Sequence, residues 1–222
     1  MTAFILDLDG TLIDSVYQHV FAWHSALRSC GFTLPMWRIH RKIGMSGGLL
    51  LQALALELNR EIDAELGKKL EDAHSQIYAT LRESTSAFDH VRELLETFER
   101  LDVPYAIATT GSLRDTEPSI EQLHLPDNVP VITREDTGKP KPDPSLFLAA
   151  AKKLRTRSEE TMVVGDSVWD MLAARRAHFL GIGLLSGGYA ESELTGAGAY
   201  RVFADAGDLR RHLHEAGVEV TR

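Results

Sequence analysis

Residues Phe4–Ser15 read FILDLDGTLIDS, and the reading of this stretch decides the fold. An apolar run ends abruptly in two aspartates one residue apart, Asp7 and Asp9, followed by Gly10-Thr11. Ala3–Leu8 reads as a short buried strand. On an extended backbone, residues two apart start from the same side, so the two carboxylates share a face. Like charges that close repel and need compensation. Gly10 permits a tight turn and a close approach of backbone to a ligand.

The rhythm changes after Ser15. Val16, Val20, Trp23 and Leu27 recur at spacings of three and four, and Gly31 closes that helix. Pro35 suits the first turn of a second helix ending near Gly44. Leu50, Leu54 and Leu58 mark a third; Leu66, Leu70, Ile77 and Leu81 mark a fourth. From Thr85 onward helices and strands alternate: a helix with Val91, Leu94, Leu95 and Phe98, then strands at YAIATT (105–110), VPVIT (129–133), TMVVGD (161–166), LGIGLL and YRVFA. The last helix is expected near Leu209–Ala216. Such alternation implies a parallel sheet with helices on both faces. The expected architecture is an α/β, three-layer Rossmann-like core of residues 1–15 and 86–222, with a four-helix domain, residues 16–85, inserted after the first strand.

Composition narrows the function. At 44% apolar and 25% charged residues the 222-residue chain has the balance of a soluble globular protein. A formal net charge of -8 argues against nucleic-acid binding, which favours a basic face. The single cysteine, Cys30, excludes an intrachain disulfide and a cysteine-only zinc site. The first residues lack the basic and apolar regions of a signal peptide, and Leu49–Leu58 is too short to span a bilayer. The expected setting is the cytoplasm, with no membrane partner.

Ligands of an open parallel sheet bind beyond the carboxyl ends of its strands. Four groups stand there: Asp7 with Asp9, Thr109 with Thr110, Lys139, and Asp166. A carboxylate is a competent nucleophile toward phosphorus, and a second carboxyl can carry protons to and from oxygen. Asp166 is followed by Asp170 in the first turn of a helix, where the dipole favours acids. Together the acids form an oxygen-ligand cluster suited to Mg²⁺, which takes few carboxylates alongside waters and substrate phosphate. In TGKPKPD, Lys139 reads as the ammonium that offsets the acids and grips a phosphate, and Lys141 reads as solvated. Thr109, Thr110 and Gly111 offer hydroxyls and N–H groups to phosphate oxygens.

The ordered set Asp7-Leu8-Asp9-Gly10-Thr11, Thr109, Lys139 in Gly-Lys-Pro-x-Pro-Asp and Gly165-Asp166-Ser167-x-x-Asp170 resembles the four motifs of the haloacid dehalogenase-like hydrolase superfamily. The helical insert after the first motif resembles the C1 cap of its subfamily I, which includes phosphoglycolate phosphatase and β-phosphoglucomutase-like members. The resemblance implies Asp7 as the nucleophile that forms an aspartyl-phosphate, and Asp9 as the acid and base. It implies Thr109 on a phosphoryl oxygen and Lys139 positioning nucleophile and phosphate. Mg²⁺ would take the Asp7 carboxylate, the Asp9 main-chain carbonyl and Asp166, with Asp170 orienting Lys139 or metal-bound water. The substrate would be a small phosphorylated metabolite.

Asp9 separates this chain from the family's dehalogenases and phosphonatases, which lack a second acid there. The mutases usually carry an arginine in the cap loop where this chain has Gly47, which counts against a phosphomutase, the leading alternative. A catalytically silent regulatory protein is a third alternative, disfavoured because every catalytic position is filled. In WRIHRKIGMSGG, Lys42 and Met45 are candidates to read the leaving group. His19 and His24, five apart, do not match the spacing of a helical metal pair and read as surface or packing residues.

Overall fold

The computed structural model describes residues 2–219. In chain order the elements are β1 (Ala3–Leu6), α1 (Val16–Ser29), α2 (Met36–His40), α3 (Gly47–Leu58), α4 (Ala64–Leu81), α5 (Val91–Arg100), β2 (Tyr105–Ala108), α6 (Leu113–Glu121), β3 (Val131–Ile132), α7 (Arg134–Thr137), α8 (Ser145–Leu154), β4 (Thr161–Gly165), α9 (Val168–Arg176), β5 (Leu180–Leu184), α10 (Glu191–Ala197), β6 (Ala199–Phe203) and α11 (Ala206–Arg211). The chain divides into two units, one running to Asp14 and resuming at Ser86, the other Ser15–Thr85.

The first unit is built on six strands in the order β3-β2-β1-β4-β5-β6, all paired in parallel. Every residue of β1, β2 and β4 is buried, as expected where helices cover both faces. Strand periodicity separates those faces. Phe4, Leu6, Ile107 and Val164 pack with α5 and α11 residues such as Leu94, Phe98 and Leu209. Ile5, Ala106 and Val163 pack with Leu146, Phe147 and Ala150 of α8 and with Ala173 and Ala174 of α9. This is the three-layer arrangement expected from the alternation. β1 lies between β2 and β4; the chain runs outward from β1 through β2 to β3 and then crosses back to β4 on the other side of β1, which is where such sheets open a crevice.

Several expected elements are shorter than their pattern: β1 ends at Leu6, β2 at Ala108, and α2 at His40 rather than near Gly44. VPVIT forms only β3, a two-residue edge strand beginning after Pro130, since proline supplies no ladder donor. The final helix is α11, followed by a separate 3₁₀ turn at Leu213–Ala216.

The second unit is four helices. Val16, Val20, Trp23 and Leu27 of α1 face Leu50, Leu51 and Leu54 of α3 and Leu70 of α4 in one core. The N–H of Gly31, at φ +78°, bonds the Arg28 carbonyl at 3.0 Å and ends the first helix. α4 differs from its aliphatic pattern: its buried positions are Leu70, His74 and Tyr78. His74 stacks on Trp23 at 4.2 Å between ring centroids, and His19 on Tyr78 at 3.8 Å. A 3.1 Å hydrogen bond joins His19 Nδ1 and His74 Nε2, so His19 is a packing residue. Gly47 has a steric reason: a Cβ there would stand 3.0 Å from the Trp23 ring and 3.2 Å from Glu71. Among the described residues no helix is long and apolar enough to cross a membrane.

Candidate active site

The site starts from the turn that follows β1. Asp7 continues the strand, its N–H donating to the Val164 carbonyl of β4 at 2.9 Å. The chain then folds back on itself. The Leu8 carbonyl accepts from the N–H groups of Leu12 (2.9 Å) and Ile13 (3.0 Å), while the Gly10 N–H donates to the Ile13 carbonyl at 2.8 Å. Gly10 sits at φ +83°, a conformation that costs a side-chain-bearing residue far more. Leu8, Leu12 and Ile13 anchor the turn by burial in the core.

Next door, β4 ends at Gly165 and delivers Asp166 and Asp170. The Thr11 hydroxyl donates to Asp166 Oδ1 at 3.0 Å, joining the two strand ends. Ser167 is the N-cap of α9, and it and Asp170 form a capping box. The Ser167 N–H and hydroxyl donate to Asp170 Oδ2 at 3.1 and 2.5 Å, which fixes that carboxylate at the helix start. Gly165 carries no side chain because Asp170 occupies the space a Cβ would need.

The cation in this site is Lys141. Its ammonium lies 2.6 Å from Asp7 Oδ1 and 2.7 Å from Asp170 Oδ1, and the residue has no exposure. Lys139, expected in that role, is exposed, and Asp170 orients Lys141 rather than Lys139. The reason lies in the local chain. Pro140 and Pro142 bracket Lys141 alone, and Asp143 accepts the Ser145 N–H at 2.9 Å at the start of α8. Lys141 is thereby turned inward, its ammonium 5.7 Å from the Phe147 ring centroid. The bracketing prolines were the sequence signal for this lysine.

Three buried carboxylates, Asp7, Asp166 and Asp170, have ligand atoms all within 4.8 Å of one another. Among the described residues the Lys141 ammonium pairs with Asp7 and Asp170, so full ionisation of the three carboxylates leaves two negative charges unbalanced. The electrostatics reflect that. Burial pushes the Asp7 carboxyl up from 3.8 to about 7 despite Lys141, with Asp170 and Asp9 adding repulsion. Burial, then Asp170 and Asp7, raise Asp166 well above the carboxylate range. Burial alone would lower Lys141, but Asp170 and Asp7 outweigh it and raise the ammonium. A cluster of hard oxygen donors lacking two positive charges fits a divalent ion such as Mg²⁺. Asp9, half-buried, stands two residues beyond Asp7.

Thr109 follows β2, one strand over, and is buried. β1 and β2 pair Leu6 with Ile107, which puts Thr109 at the same sheet end as Asp7. Its Oγ1 accepts the Gly111 N–H at 3.0 Å. Gly111 is held to glycine by Thr116, whose methyl fills the Cβ position. Thr110 is half-buried beside it.

Of the two residues singled out in the helical unit, Met45 packs partly buried against that unit's core. Lys42 is 7% exposed, and its ammonium pairs with Glu57 of α3 at 2.5 Å. Its charge is therefore engaged within the helical unit. Lys42→Ala and Glu57→Ala are each expected to destabilise the protein by about 1 kcal/mol, with a coupling of roughly 0.5 kcal/mol in a double-mutant cycle. Zero coupling in urea unfolding would contradict this pairing.

Residues 4–182 match the family model described as haloacid dehalogenase-like hydrolase. The crystal structure of a hydrolase from Pseudomonas syringae superposes with a TM-score of 0.93 at 49% identity, covering 97% of this chain and 99% of that one. A phosphoglycolate phosphatase of Chromobacterium violaceum is 31% identical over 199 residues, spanning 88% of this chain and 89% of its own. A β-phosphoglucomutase from Clostridium difficile shares the fold, with a TM-score of 0.84 at 19% identity, covering 97% of this chain and 96% of that one.

Proposed function

We propose that the chain, which belongs to the haloacid dehalogenase-like hydrolase family and is a phosphatase of it, hydrolyses a small phosphorylated metabolite through an aspartyl-phosphate on Asp7, with Mg²⁺ as cofactor. The observation that carries this reading is the buried cluster of Asp7, Asp166 and Asp170 around Lys141.

Asp7 attacks phosphorus, forming the acyl phosphate as the bond to the leaving alkoxide breaks. Asp9 gives that oxygen its proton. Asp9, now ionised, takes a proton from the water that attacks the acyl phosphate, and Asp7 is regenerated with release of inorganic phosphate. Lys141 holds Asp7 in line and adds positive charge beside the incoming anion. Thr109 and Thr110 supply hydroxyls, and Gly10 and Gly111 close backbone, to the phosphoryl oxygens. Asp7, Asp166 and the Asp9 carbonyl would hold Mg²⁺. The ion, when bound, neutralises charge on the phosphoryl group, the main requirement of phosphoryl transfer. Asp170 acts on Lys141. Lys42 and Met45 remain candidates for substrate selection, Lys42 only if it exchanges Glu57 for substrate.

The test is phosphate release from an aryl phosphate and a panel of phosphorylated metabolites. EDTA is expected to reduce release to the level of an Asp7→Asn variant, and Mg²⁺ to restore it. Metal-independent turnover, or no turnover of any ester with Mg²⁺, would refute the reading. The same site predicts a pH signature. Because Asp7 rises from 3.8 to about 7 on folding, the metal-free native state holds a proton that the unfolded chain has lost. Its contribution to stability is present below the lower value and is lost as pH rises through the upper one. Mg²⁺ competes with that proton. The Mg²⁺-induced rise in Tm should therefore grow between about pH 4 and pH 7. A shift that shrinks over that range in thermal melts would contradict the cluster's electrostatics.

A further inference from the structure

The chain after β5 turns through Leu185–Gly187 and Gly188. Neighbouring strands lie about 4.8 Å apart, and β4 separates β5 from β1, so a turn leaving β5 can touch the β1 turn only by folding over the end of β4. It does so. The Ser186 hydroxyl donates to the Gly10 carbonyl at 2.6 Å, across 176 residues of sequence. The next residue, Gly187, is buried against Asp166 so closely that a Cβ would overlap the carboxylate.

Both contacts converge on one group. Gly10, at φ +83°, is the most torsionally permissive point of its turn. A hydrogen bond to its carbonyl fixes the peptide between Gly10 and Thr11. Asp9 precedes that point and Thr11 follows it, and the Thr11 hydroxyl holds Asp166 Oδ1. Ser186 therefore acts on Asp166 through Gly10 and Thr11, while Gly187 acts on it by leaving room.

We propose that the Ser186–Gly187 turn is a positioning element for the divalent-cation site, setting the Asp9–Thr11 backbone and the Asp166 carboxylate in register; this rests on the metal-dependent reading above. Groups that orient ligands commonly change metal affinity by about 10–100-fold when removed.

The experiment measures Mn²⁺ binding to the full-length protein by calorimetry, alongside apoprotein melting in EDTA. Ser186→Ala should raise the Mn²⁺ Kd by about 10-fold, and Ser186→Thr, which keeps the hydroxyl, should recover most of that loss. Gly187→Ala should raise the Kd further. Kinetically, the Mg²⁺ activation constant should rise in Ser186→Ala while the KM for an aryl phosphate holds. Unchanged Mn²⁺ affinity in Ser186→Ala overturns the proposal, and so does an apoprotein melting loss with no affinity change, which would mark a purely structural role. A wild-type protein that binds no Mn²⁺ overturns the metal-dependent reading itself, which separates the two failures.

Discussion

Asp7→Asn is expected to lower Mg²⁺-dependent phosphate release by at least ~10⁴-fold, the scale seen when a covalent nucleophile is removed. Asn is nearly isosteric, so the strand pairing of the Asp7 N–H with the Val164 carbonyl survives. What is lost is the attacking oxygen and one cation ligand. The apoprotein should meanwhile keep or gain stability. Asp7 is buried among Asp166 and Asp170, and removing its charge relieves repulsion while Lys141 retains Asp170 at 2.7 Å. Loss of activity without loss of Tm in EDTA is the combined signature. A variant that kept more than about a tenth of wild-type kcat would exclude Asp7 as nucleophile, since such losses are expected to be far larger.

Lys141→Met should be nearly as damaging to catalysis and, unlike Asp7→Asn, damaging to stability. It strands Asp7 and Asp170 without their shared cation, and removing one partner of a buried ion pair costs about 3–5 kcal/mol. The rate should fall by about 10³-fold or more, comparable with removing a preorganised charge from the reacting centre. Lys139→Ala is the control. Lys139 is exposed, and surface substitutions of that kind stay within about 0.5 kcal/mol; its activity should remain near wild type. A Lys139 variant without activity beside an active Lys141 variant would reverse the assignment. Urea unfolding and steady-state kinetics on the two purified variants decide it.

Local pattern carried much of the architecture. Phe4, Ile5 and Leu6 alternate between the two cores as a doubly covered strand must, and the apolar spacing of α1 survives as its buried face. The acids at the strand ends were legible because strand direction in a parallel sheet assigns them all to one edge. Charge and position along the chain do not separate Lys139, which is exposed, from Lys141, which pairs with Asp7. The distinction turns on which lysine the two prolines lock inward. α4 was legible as a helix but not in its contents, because His74 and Tyr78 fill a face where aliphatic residues were expected, satisfied by stacking and a histidine pair. Ser186 and Gly187 carried no local signal at all. Their meaning comes from a turn crossing β4 to meet a residue 176 positions away.

The most direct test of the central claim is to trap the intermediate. Wild-type protein is mixed with an aryl phosphate and Mg²⁺, quenched in acid on the millisecond scale, digested and read by mass spectrometry. The account predicts one phosphoryl group on Asp7, removed by hydroxylamine and absent from Asp7→Asn. Full Mg²⁺-dependent turnover with the phosphoryl group on a different residue, or with none on Asp7 at any quench time under saturating substrate, would contradict it.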